Sequence, residues 1–85
     1  MIQMRRPQQG DEVWEMNTKV HQVLVGRIDT IRKSKLLIGV TGSIYPVWQV
    51  VYTSVFRHTK KAKVLRTAWV VRTGGRWFTS DGEDV

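Results

Sequence analysis

The chain has no cysteine, two prolines, and not one acidic residue between positions 30 and 80. Each absence removes possibilities. Without cysteine there are no disulfides, thiolate metal sites or thiol nucleophiles, and the chain suits a reducing cytoplasm. Proline only at positions 7 and 46 leaves long stretches free to pair as strands. The purely apolar runs are a few residues long, too short to cross a bilayer, so no membrane role is expected. The opening MIQMRRPQQG is basic, yet no apolar run of signal-peptide length follows it. Paired carboxylates, HExxH, a phosphate-binding P-loop and GxGxxG are all missing, and His21 and His58 have no metal-ligand spacing. The expectation is a binding protein with no cofactor, no metal and no catalytic residue.

What is present is positive charge, unevenly placed. Fourteen Lys and Arg against seven Asp and Glu leave +7 over 85 residues. Residues 1–29 hold four of each sign, residues 30–80 hold ten basic residues, and residues 81–85 (DGEDV) hold three acids. A solvated surface usually mixes signs, so this segregation points to a polyanionic partner. Nucleic acid is the first candidate and an acidic protein the second.

The backbone pattern is all-β. β-Branched and aromatic residues in short runs between turn signals predict strands at 12–16, 20–31, 36–41, 47–56, 64–73 and 76–80. Gly26 interrupts the alternation of Val23, Val25 and Ile28, as a bulge or sharp bend does. Gly74–Gly75 predicts a two-residue hairpin pairing Thr73 with Arg76, Arg72 with Trp77 and Val71 with Phe78. Leu65, Thr67, Trp69, Val71 and Thr73 then share the expected core face, with Arg66, Ala68, Val70 and Arg72 outside. Residues 54–65 (SVFRHTKKAKVL) read as an extended hairpin with a long tip. A short helix capped by Ser54 is the alternative, disfavoured by β-branched residues and by the lack of an acid in its first turn. The result is one small antiparallel domain over 10–80, five- to six-stranded, closed as a barrel or strongly bent as a meander. A flexible leader (1–9) precedes it and an acidic tail (81–85) follows.

GDEVWEM (10–16) followed by VLVGRIDTI (23–31) resembles the opening of small SH3-like barrels such as the Tudor and KOW-type domains. The spacing is also similar to that of short SH3-like proteins of phages and mobile elements. The resemblance implies a binding module and not a catalyst. The second KOW glycine and the Tudor aromatic cage are absent, so no binding residue carries over from either.

In a meander, alternate turns lie at the same end of the sheet. A turn at Arg32–Lys35 and a tip at Arg57–Lys63 would therefore gather Arg32, Lys33, Lys35, Arg57, Lys60, Lys61 and Lys63 at one pole, with Arg66 adjoining. Two such basic tips suit phosphate contacts of DNA or RNA, because each neutralised phosphate releases counterions. Against that stands the ordinary use of Lys to protect loops and sheet edges. Arg72, Arg76 and Trp77 form a second candidate: barrel closure first, then an interface to a protein or a second copy, then base stacking. A homo-oligomer holding an anionic nucleotide-like ligand between subunits is a third functional reading. The acidic tail could compete with a polyanion for the basic residues. Arg27 and Asp29, two apart on a strand, are expected to pair.

Overall fold

The computed structural model describes residues 5–16, 21–55 and 64–80. Five strands form a closed ring in chain order: β1 (Glu12–Met16), β2 (Gln22–Ile38), β3 (Ile44–Ser54), β4 (Leu65–Thr73) and β5 (Arg76–Ser80). There is no helix among the described residues. Consecutive strands pair antiparallel, and the ring closes where β1 meets β5 in parallel through Val13–Trp77 and Trp14–Phe78. The parallel closure follows from counting: in a meander with an odd number of strands, the first and the last run the same way.

The first and last strands and the Gly74–Gly75 turn form where the sequence predicts them. Both glycines have positive φ, 58° and 82°, and the three predicted hairpin pairs are all observed. Gly26 sits beside the β1–β2 irregularity, where Val13 pairs with Gly26 but Trp14 pairs with Leu24, leaving Val25 as the extra residue. A Cβ at Gly26 would run into the Thr53 carbonyl oxygen and the Tyr52 ring. β1 is entered through a tight turn. Asp11 donates its N–H to the Gln8 carbonyl (3.0 Å), and its carboxylate accepts the Gln8 N–H (2.9 Å). Gly10 (φ 92°) then donates to the Ile28 carbonyl at 2.8 Å. Pro7 is buried, so residues 5–9 contribute to the packing.

Two expectations are corrected. The turn at Arg32–Lys35 does not exist. The predicted second and third strands are one 17-residue strand, β2, and the β2–β3 turn lies at Gly39–Ser43, closed by the Gly39 N–H donating to the Ser43 carbonyl at 2.7 Å. The polar run belongs to the sheet, with Lys33, Ser34 and Lys35 opposite Gln49, Trp48 and Val47. Two register shifts, between Ile28 and Thr30 and between Ile31 and Lys33, let so long a strand bend. The faces of β4 are also reversed. Val70 is fully buried and Ala68 packs against the core, while Trp69 lies on the outer face and is half-buried. Parity assigns a side chain's face, but position along the strand assigns its depth. Arg66 and Arg72 share the inward parity yet sit near the two ends of β4, where water still reaches them.

The interior is built from Val13, Val25, Ile28, Val50, Tyr52, Val70 and Trp77, with Val23, Ile31, Trp48 and Ala68 packed against them. Small β-branched residues dominate because a five-stranded ring leaves little room, and the indole of Trp77 fills much of it. Leu37, Val47 and Phe78 are also buried but lie outside that cluster, on the opposite face of the sheet by register.

Candidate nucleic-acid interface

β4 pairs with β3 only from Trp48 to Thr53. Residues Ile44–Val47 therefore pair with β2 alone, and together with Lys35–Ile38 they form a two-stranded arm closed by the Gly39–Ser43 turn. The arm extends roughly 13 Å past the last β3–β4 pair, Trp48–Val70, at about 3.3 Å per residue. The molecule measures 46 × 28 × 24 Å. Pro46 fits here because its missing N–H falls on the side of β3 that has no neighbour.

The arm has two dissimilar faces. One carries Leu36 and Ile38 opposite Pro46 and Ile44. Leu36, Ile38 and Ile44 are 63%, 51% and 65% exposed, and Val40 in the turn is fully exposed. The other face turns cations toward an aromatic ring. Lys35 Nζ lies 4.6 Å and Lys33 Nζ 5.8 Å from the centre of Trp69, which pairs with Gln49, the partner of Lys33. Arg32 falls at the second register shift and is exposed. Such ammonium–indole contacts are worth about 0.5–1 kcal/mol at exposed sites, and they hold the lysines over the sheet.

The sequence-predicted residues divide into three groups. Arg32, Lys33 and Lys35 come together, on a strand at the base of the arm and not on a turn. Arg57, Lys60, Lys61 and Lys63 lie outside the described residues, as does the tail 81–85. The described ends of that connection are held at the opposite end of β3, where the Ser54 N–H donates to the Val64 carbonyl at 2.8 Å. Val47–Gln49, the partners of Lys33–Lys35, stand five to seven residues from Ser54, roughly 17–23 Å along the strand. Ser54 and Val64, the described ends of that connection, thus stand well away from Lys33–Lys35. Arg66 is exposed at the start of β4, opposite Tyr52. Burial pushes the Tyr52 phenol above its ordinary pKa, opposed by the nearby Arg66 charge and reinforced by Glu15.

Arg72, Arg76 and Trp77 belong to the barrel seam. Trp77 is 3% exposed, belongs to the core and pairs with Val13 where the ring closes. Arg72 lies 5.4 Å from the Trp77 ring centre and Arg76 3.9 Å from that of Trp14. Arg76 also donates to the Gln22 side-chain carbonyl at 2.6 Å. Arg27 pairs with Glu12 (3.5 Å) and donates to the Gly10 carbonyl (3.2 Å), in place of the expected Asp29, because β1 lies beside it and the bulge displaces Asp29.

Sequence reading missed the arm and the outward-facing Trp69. The signal for the arm was present: Arg32–Lys35 has no Gly, Pro, Asn or Asp, whereas Gly39 and Gly42 stand nearby. Among the described residues no three His, Asp or Glu gather as a metal site, and no helix is long and apolar enough to cross a membrane. Compared with protein-family models, with curated proteins and with solved structures, the chain has no significant match.

Proposed function

We propose that this protein is a nucleic-acid-binding module of the cytoplasm that holds a DNA duplex through its backbone phosphates, with the β2–β3 arm as the element that enters a groove. The observation that carries the reading is the arm's composition: cations at its base and bare apolar side chains toward its tip. A two-stranded ribbon fits the major groove of B-DNA, about 12 Å wide, whereas the deep, narrow major groove of A-form RNA rejects it. Arg32, Lys33 and Lys35 would then meet phosphates along the groove's rim, and Ile38, Val40 and Ile44 would contact thymine methyl groups or wedge between base steps. The acid-free stretch from residue 30 to 80 favours the same partner over long range. The closed five-stranded ring is compatible with the SH3-like barrels that the opening segments resemble, a fold used by many binding modules; it does not by itself select a ligand.

The test is a titration of the protein with duplex DNA, single-stranded DNA and duplex RNA at two salt concentrations. Duplex DNA should bind most tightly, with affinity falling steeply as salt rises. Lys33→Gln/Lys35→Gln should weaken binding to many sequences alike and reduce the salt slope by about 2 if each lysine meets one phosphate. An unchanged affinity and slope in that variant would remove the arm from the interface.

A second reading has its own support in the exposed Leu36, Ile38 and Ile44, which suit an apolar groove on an acidic protein. Ile38→Ser/Ile44→Ser separates the two. It should abolish a protein partner while leaving most of the salt-dependent DNA affinity in place.

A further inference from the structure

A cleft of about 200 Å³ opens at the seam where β5 closes against β1. Arg5, Arg72 and Arg76 line it, along with Trp14 and Trp77. Two carboxylates, Asp11 and Glu12, also reach it, but both are engaged: Asp11 accepts the Gln8 N–H, and Glu12 pairs with Arg27. Among the described residues neither Arg5 nor Arg72 has a carboxylate partner, although Arg72 leans over the Trp77 ring. Two buried indole N–H groups, those of Trp48 and Trp77, lack an acceptor among the described residues, and of these two only Trp77 lines the cleft. A buried donor left unpaired costs stability, and native proteins rarely leave one so.

We propose that this cleft binds a phosphate monoester. A tetrahedral dianion presents several acceptor oxygens at once, enough to engage two guanidinium forks. Guanidinium suits such a site better than ammonium, because its planar donors meet two oxygens together. Arg76 is held by Gln22 and stacked on Trp14, so its charge is fixed in place before a ligand arrives. Arg5, which precedes the barrel strands, closes the cleft from the N-terminal side. The site does not depend on the arm: Lys33, Lys35 and Trp69 do not line it. The phosphate could belong to a small metabolite or to the 5′ end of a nucleic-acid strand, since both present the same group.

The experiment is NMR of the tryptophan indole N–H signals during addition of inorganic phosphate, with ionic strength held constant by sodium chloride. The signal of Trp77, whose residue lines the cleft, should shift and saturate. Arg72→Gln, and separately Arg5→Gln, should weaken the apparent affinity at least tenfold, while Lys33→Gln/Lys35→Gln leaves it unchanged. Arg5 lies outside every strand, so its variant keeps the test valid even if Arg72→Gln disturbs the hairpin. No saturable shift, or equal shifts in wild type and both arginine variants, would overturn the proposal. Oligonucleotides with a 5′-phosphate or a 5′-hydroxyl then identify the source. A Trp77 shift specific to the phosphorylated end assigns the site to strand termini. A shift with free phosphate but with neither oligonucleotide assigns it to a small molecule. Loss of the site would leave the duplex reading of the arm standing, and loss of arm binding would leave the site standing.

Discussion

The barrel body and the arm are made from the same two strands, yet they obey different constraints. In the body, β2 and β3 have neighbours on both sides, and Ile28, Val50 and Tyr52 are buried between them. In the arm the same strands pair only with each other; Leu36, Ile38 and Ile44 stand in water on one face, while Leu37 and Val47 are buried on the other. An isolated two-stranded hairpin is marginal in water, so the arm borrows its order from the body by continuing its hydrogen-bond ladder. The difference teaches where selection for stability ends. Apolar residues in the body lower the free energy of folding; on the arm's open face they cost solubility and gain little packing, which fits a surface kept for a partner.

The sharpest way to break that contrast is at glycine. Gly26→Ala should destabilise the body by about 3 kcal/mol or more, or prevent folding, because the added methyl meets backbone at Thr53 and that carbonyl cannot swing away. Gly42→Ala in the arm turn meets open space and pays only for its positive φ (82°), about 1 kcal/mol. Chemical denaturation of both variants measures the difference. If Gly26→Ala folded with wild-type stability, the close packing of β2 on β3 at that point would be wrong.

A smaller separation is expected at apolar side chains. Val50→Ala removes two methyl groups from a fully buried position and should cost about 2 kcal/mol. Ile38→Ser removes more carbon from the exposed arm face and should stay within about 0.5 kcal/mol. Comparable losses at the two sites would mean that the arm's apolar face is packed against something in solution, such as a second copy.

The smallest effect sharpens the body alone. The Tyr52 phenol has a raised pKa in the folded protein, chiefly through burial. The unfolded chain therefore loses that proton first as pH climbs. Stability is unaffected below about pH 10, the ordinary phenol value, and declines as pH rises above it. Tyr52→Phe should flatten that alkaline decline in a series of denaturation curves. An identical decline in the variant would show that another group controls it.

The elements legible in the sequence were those set by local chemistry. Gly74–Gly75 demanded a primed turn and so set the β4–β5 register; Gly26 announced the bend. Arg32–Lys35 misled because polarity suggested a turn, although only Ser34 among its residues favours one. The inversion of β4 had a different origin. Trp69 and Val71 looked like a core pair, but the narrow interior accepted Ala68 and Val70 and took its large ring from Trp77 on the neighbouring strand.

The candidate sites show the same division. Positive charge, its segregation along the chain and the strand-rich pattern were fixed by composition and periodicity, properties that each segment carries alone. Which cations meet was decided only when the strands paired. Register brought Lys33 and Lys35 over Trp69, and ring closure brought Arg5, Arg72 and Arg76 to one cleft. The physical reason is that a side chain's face depends on every bulge between it and the core. Its neighbours depend on strands distant in sequence, and no local pattern encodes either.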